Sequence, residues 1–447
     1  MIAALWLLPA LALGCLMVLC FSGLRERLPK PEAALLLFGA GSATGIGAAS
    51  CLFFVCRLLL PGSVLLPLLL ELAAVAALGV LYVRRPRATR ASDSTLAFPL
   101  NLALALALPA AVLAATCIMA GTWEANPHGD WDAWSIWNLR ARYLAANSDA
   151  ARRAWSPDLV STHPEYPLLT SAFVARCWAY CGSDDPAAPI AVSYVFLLAL
   201  VSAGAGGVGL LRSRPLGLLF GLLLAGTPVL LHAVPAQYAD VPLACYFLAA
   251  LLLALLEEPL FAGVCAGLAA WTKDEGSLFL LVFVAASAVW RLRALPRVLL
   301  GAAPGAVLAL SFKLLIAAGT PSLAGRAAGT LAPKLLAASR YVQVLKAFAA
   351  SLLDTSFLLL YLALAVVAAS LRFDQERRRD AVLAVSVGGV MLAAYFSFYI
   401  VTPYDLAWHL ATSLNRLIVQ LWPLLLLAVF AALRTPESYA VVTRKRK

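Results

Sequence analysis

The sequence predicts an all-α polytopic membrane protein, and three observations predict it. The 447-residue chain is 63% hydrophobic and only 13% charged, whereas soluble domains carry about 25% charged residues. Residues 33 to 56 and 94 to 123 hold no charged side chain at all, and such runs meet or exceed the ~20 apolar residues that cross the hydrocarbon core of a bilayer. The basic residues behind the net charge of +11 are dispersed into short loops between apolar runs, which is a topology signal and not the basic stripe of a nucleic-acid-binding surface. No nucleic-acid partner is expected.

From the N-terminus, spans are expected at 1–22, 33–58, 61–83, 97–121, 188–211, 215–234, 240–256, 260–271, 276–290, 298–318, 355–371, 381–401 and 417–433, about thirteen helices. The first has no basic n-region, and no A-x-A-like site precedes RERLPK, so it reads as a retained helix and not a cleaved signal. An odd count puts the termini on opposite sides. One set of loops holds Arg25, Arg27 and Lys30; Arg84, Arg85, Arg87 and Arg90; Arg212 and Arg214; Arg291, Arg293 and Arg297; Arg372 and Arg377 to Arg379; and a basic tail, 434–447, ending RKRK. These are most of the 34 lysines and arginines, so that side is expected to be cytoplasmic and the N-terminus periplasmic. Abundant Ala, Leu and Arg with few Lys point to a GC-rich bacterial source and an inner-membrane address. The nine cysteines fall mostly inside apolar runs as small hydrophobes. Cys177 and Cys181 lie four apart on an expected helix, a spacing that strains a disulfide.

The opposite side carries two long segments, 122–187 and 319–354, on a single membrane-embedded domain covering 1–447. The first contains Trp123, Trp131, Trp134, Trp137 and Trp155, an interfacial composition that reads as amphipathic helices lying along the membrane surface. Within it Asp130 and Asp132 open a helical run, 132–146. Asp132 is either that helix's N-cap or a chemical group. His163, Glu165 and Tyr166 follow in HPEYP, an extended turn held by its prolines or part of a site. Asp240 in QYAD tops a helix running inward, and WTKDEG at 271–276 breaks two short helices. Counted from the Glu257 and Glu258 loop, the helix leading to Lys273 rises only ~22 Å against a ~30 Å core. Lys273 is therefore expected below the outer surface, either in a salt bridge with Asp274 or Glu275 or facing a functional cavity. Glu71 and Lys313, also within spans, are weaker candidates. Asp405, His409 and Arg416 precede the last helix on the same side, where Arg416 could also snorkel. Arg326, Lys334, Arg340 and Lys346 in 319–354 run against the charge bias, as an anionic substrate or lipid headgroup would require.

GDWDAWSIWNLRARYL, HPEYPLL, QYADVPLACYF and GLAAWTKDEG, in that order over roughly 120–290, resemble the GT-C superfamily of lipid-dependent glycosyltransferases. The likeness is to the branch of protein O-mannosyltransferases and of the aminoarabinose and galacturonic acid transferases of lipid A. The C-terminal YDLAWHLATSLNR matches more loosely, and residues 1–96 are not assigned by the resemblance. It implies an inverting transfer of a sugar from a polyprenyl-phosphate donor to a lipid, glycan or protein acceptor at the periplasmic face. Asp132, with Asp130 in reserve, would be the general base; Lys273, Arg416, Arg326 and Lys334 would meet the donor phosphate; and His163, Glu165, Tyr166, Asp240, Asp405 and His409 would line the sugar and acceptor pocket. DWD also resembles the metal-holding D-x-D of nucleotide-sugar enzymes, but members of this branch need no obligatory metal, so neither metal nor other cofactor is expected. The rival readings are a transporter or flippase of a lipid-linked or anionic substrate, marked by polar residues through the bundle, and a noncatalytic anchoring subunit.

Overall fold

The computed structural model describes residues 2–28, 30–85, 99–146, 148–320, 331–354, 361, 363–365, 367–369, 373–374 and 378–436. The expected span at 355–371, together with Arg87, Arg90, Arg326, Arg372, Arg377 and the RKRK tail, lies wholly or mostly outside these residues. Among the described residues the chain is helical throughout, and the only strand pairing is an isolated bridge between Phe373 and Leu433. In hydrocarbon a helix is the way a single segment satisfies every backbone N–H and C=O.

The principal helices are α1 (Leu7–Phe21), α2 (Pro31–Leu59), α3 (Leu65–Arg84), α4 (Pro99–Ala125), α5 (Asn138–Ala145), α6 (Leu169–Cys181), α7 (Ala187–Leu211), α8 (Arg214–Ala225), α9 (Asp240–Leu255), α10 (Pro259–Thr272), α11 (Asp274–Arg291), α12 (Leu295–Ser311), α13 (Ala338–Leu352), α14 (Arg378–Val401) and α15 (Leu406–Ala432). Proline occupies the first turn of α2, α8, α10 and α12, where its missing N–H is no loss. Gly182, at φ 75°, terminates α6 in the left-handed region that favours glycine.

Among the described residues, eight helical stretches are long and apolar enough to cross a membrane. One of them, Asp274–Ile316, is a hairpin and not one rod, because α11 and α12 join through the 3-10 turn Leu292–Ala294 and pack against each other. α8, α9 and α10 are shorter apolar helices. The chain is thus an all-α polytopic membrane protein.

The centre of the bundle is α9, in which every residue except Ala254 is buried; a helix apolar all round belongs inside. It is surrounded by α7, α10 and α15, with α2 beyond. α3 and α4 sit at the periphery and expose Leu69, Leu72, Leu106 and Leu113, as a lipid-facing surface should. Small residues set the closest approaches. A Cβ at Gly263 of α10 would strike Val298 O, and one at Gly301 of α12 would strike Leu260 O. The two G-x-x-x-G pairs, 263/267 and 301/305, therefore interlock backbone to backbone.

The two ends of the bundle differ chemically. At one end Arg25 donates to Arg85 O, Arg27 to Leu256 O and Arg379 to Trp290 O, while Arg212 pairs with Asp374, Arg214 with Glu32 and Arg291 with Glu257. The other end collects the loop after α4, the HPEYP turn, the start of α9, the α10–α11 break and the start of α15. The N-terminal helices are tied to the chain beneath that second end by Arg176 of α6, 0% exposed, which clamps Glu71 of α3 through Nε at 2.7 Å and Nη2 at 2.5 Å and donates to Trp6 O at 2.7 Å. Glu71 is accordingly a structural ion-pair member.

Candidate functional site

Asp240 is the first residue of α9 and only 1% exposed. A carboxylate there complements the positive end of the helix, and it is further met by three donors: Lys273 Nζ at 3.0 Å on Oδ1, Gln420 Nε2 at 2.5 Å on Oδ1, and Arg416 Nε at 3.0 Å on Oδ2. Each donor has a second anchor. Lys273 sits at the break between α10 and α11, extended at φ −161° and ψ 164°, with Glu275 Oε1 at 2.8 Å. Arg416 reaches Asp132 Oδ2 through Nη1 at 2.7 Å and lies over the Tyr238 ring at 4.0 Å. Gln420 accepts from Tyr395 Oη at 2.5 Å.

The groups differ in access. The Asp132 and Arg416 side chains are 20% and 22% exposed, while Lys273 is 7% exposed. Asp132 and Arg416 form the outer layer, and Lys273, Asp240 and Gln420 the layer behind. Asp132 makes no capping bond to the backbone, so the N-cap alternative does not hold for its side chain. The chain after it makes a π-helical turn, Ala133–Trp137, before α5; the expected helix at 132–146 is therefore two pieces. Among the described residues the Asp130 carboxylate accepts one long contact, 3.4 Å, from Asn126 Nδ2, and makes no ion pair with the cluster. Of the two salt-bridge partners open to Lys273, Glu275 is used, whereas Asp274 pairs with Lys313 at 2.5 Å.

A second cluster lies beside the first. His163 Nδ1 and Glu165 Oε1 are 3.1 Å apart, the His163 and Tyr166 rings stack at 4.6 Å, and Tyr166 stacks on Trp137 at 6.0 Å. Arg140 of α5 holds this turn by donating to Tyr166 O at 2.9 Å and Thr162 O at 2.8 Å. Burial lowers its guanidinium to about 10, still cationic at neutral pH, and burial pushes the Tyr166 phenol well above its ordinary value, with the carboxylates of Glu275 and Asp274 adding to the shift. His163, at φ 52°, and Gln237, at φ 58°, are non-glycine residues in the left-handed region, a strain of order 1–3 kcal/mol each that the surroundings must hold. Gln237 is held by Asn138 Nδ2 at 2.9 Å and by Pro127 O at 3.0 Å.

The remaining expected residues make other contacts, His409 within electrostatic reach of His163, Glu275 and Lys273. Asp405 caps α15 by accepting from Trp408 N at 2.8 Å. His409 bonds Thr402 Oγ1 at 2.7 Å and packs among Tyr399, Tyr404 and Phe398. Lys334 donates to Thr402 O at 2.7 Å, and Arg340 to Ile400 O and Tyr399 O; both fasten the 331–352 region to the end of α14 and stand apart from the carboxylates. Arg326 lies outside the described residues. Cys177 and Cys181 are free thiols, and no group of three His, Cys, Asp or Glu among the described residues is arranged as a metal site.

Gln420, Tyr238 and Tyr395 complete the cluster without having been singled out from the sequence. For Gln420 the signal was available. His409, Ser413, Arg416 and Gln420 recur at helical spacing on one face of α15, and an amide inside LIVQLWP has no place in lipid without a partner. Comparison of the chain with protein-family models, with characterised proteins and with solved structures finds no match.

Proposed function

We propose that the chain is an integral membrane glycosyltransferase that moves a sugar, with inversion, from a polyprenyl-phosphate donor to a lipid, glycan or protein acceptor. The proposal includes about thirteen crossings, a cytoplasmic basic end and a periplasmic site in a bacterial inner membrane. What supports the reading is one juxtaposition: a part-exposed carboxylate, Asp132, held 2.7 Å from a part-exposed guanidinium, Arg416, at the end of the bundle away from the basic loops.

An acceptor hydroxyl is a poor nucleophile, so a carboxylate must take its proton as the new C–O bond forms. Asp132 takes that role. The bond from the anomeric carbon to the phosphate oxygen breaks, and the lipid phosphate leaves with the electron pair, its growing charge met by the guanidinium of Arg416. Lys273, lying one layer deeper with Asp240 and Glu275 as partners, positions Asp240 and adds positive field. Asp240 in turn fixes Arg416 Nε, leaving the Nη atoms to trade Asp132 for phosphate. Donor binding would thereby free the base. His163, Glu165 and Tyr166 form the adjoining wall for sugar or acceptor.

The test is transfer of radiolabelled sugar from synthetic polyprenyl-phosphate donors in detergent, where no transmembrane gradient exists. Transfer by the native chain and its loss by ~10²-fold or more in Asp132→Asn is the expected result. Full activity of Asp132→Asn would refute the base assignment. Substrate movement across proteoliposomes with no transfer from any donor would replace the enzyme by a transporter.

A further inference from the structure

At the basic end, α10, α11 and α12 enclose a groove of about 650 Å³ whose polar lining includes Glu257, Trp290, Arg291, Arg293 and Arg297. Three arginines thus face a single carboxylate, and only Arg291 is paired with it, at 2.8 Å. Among the described residues Arg293 and Arg297 make no ion pair. Arg297 is the third residue of α12, where the helix dipole is already positive and a cation is disfavoured. The Trp290 indole N–H is buried without an acceptor among the described residues, and Arg291 lies over that ring at 4.9 Å. A fourth arginine, Arg379 of α14, approaches to donate to Trp290 O at 2.9 Å. An anion in the groove would give Arg293 and Arg297 the counter-charge that neither finds among the described residues.

The flank of the groove identifies the anion's source. Leu292, 67% exposed, lines the groove between Arg291 and Arg293, and Val289 and Leu300, 90% and 67% exposed, lie on the same two helices within a turn of the lining residues Trp290 and Arg297, so the arginines border an apolar surface. A free anion has no use for that surface, but an amphiphile does. We propose that this groove binds an anionic phospholipid, its phosphate held by Arg291, Arg293 and Arg297 and its acyl chains laid along Val289, Leu292 and Leu300. Basic pockets between membrane helices recognise lipid headgroups by this combination of charge and apolar flank. The site lies at the end opposite Asp132 and does not depend on the transferase reading.

Native mass spectrometry of the full-length protein in detergent, titrated with phosphatidylglycerol or phosphatidylcholine, tests it. Phosphatidylglycerol should bind in preference, and Arg293→Ala/Arg297→Ala should weaken it about 30-fold, from the usual contribution of an arginine near a lipid phosphate. Arg293→Lys/Arg297→Lys should retain binding within a few-fold, which separates lost charge from a misfolded variant. Equal affinity for the two lipids, equal binding by the native chain and the Ala variant, or complete displacement of the lipid by millimolar inorganic phosphate would each overturn the proposal.

Discussion

Replacing Asp240 by Asn should separate the two layers of the carboxylate cluster. The side chain is 1% exposed and serves Lys273, Arg416 and Gln420. Removing one partner from a buried ion pair typically costs about 3–5 kcal/mol, because the other charge is left uncompensated. Here the loss falls at the lower edge, about 3 kcal/mol, since Lys273 keeps Glu275 at 2.8 Å and Arg416 keeps Asp132 at 2.7 Å. In a chain of this size that is a fall in melting temperature of about 3 °C. Asp132→Asn is the paired control. Asp132 is about one-fifth exposed and Arg416 keeps Asp240 at 3.0 Å when it is replaced, so the loss should lie between that of a surface pair, up to about 1 kcal/mol, and that of a buried one, and the variant should melt above Asp240→Asn while losing transfer. Melting in detergent followed by tryptophan fluorescence, with transfer measured on the same preparations, reads both quantities. If Asp240→Asn melts with the native protein, Asp240 is not the buried keystone described here. If Asp132→Asn melts as early as Asp240→Asn, Asp132 is a structural residue and the case for a base collapses.

Two further outcomes follow from packing. Arg176→Met should destabilise by about 3–5 kcal/mol by stranding Glu71, and Glu71→Leu/Arg176→Met should melt well above it; a double variant no more stable than the single would show that the pair is not the cause. Gly301→Leu should drive α12 off the Leu260 carbonyl, abolishing a monodisperse peak in size-exclusion chromatography, whereas a native-like peak and melt would mean that the two helices are not interlocked there.

Much of this was legible in the residues because it is encoded locally. Charge-free runs locate helices, and the arginines sort one end of the bundle from the other. The shortness of the segment before Lys273 places it under cover, and its side chain is 7% exposed. Features built from distant partners were not legible. Nothing near Glu71 announces Arg176, 105 residues away, and nothing near Lys273 indicates whether Asp240, Asp274 or Glu275 will answer it. The glycines of α10 and α12 read as ordinary apolar punctuation until the opposing backbone is known. Asp405 shows the converse: its place beside His409 and Arg416 in sequence does not reveal that its carboxylate caps α15 by accepting from Trp408 N.

The helix α5 has a mechanical consequence. Its first residue, Asn138, holds Gln237, and its third, Arg140, holds the turn containing His163; both held loops contain a residue in the left-handed region. Two springs are therefore hooked to one short beam. Tilting α5 by a fraction of a turn would slacken or tighten both loops together, and with them Tyr238 beneath Arg416 and Tyr166 beside Trp137. Because α5 lies between the π-turn after Asp132 and the outer segment that begins at Ser148, one short helix sets the position of both strained loops and of the residues flanking them.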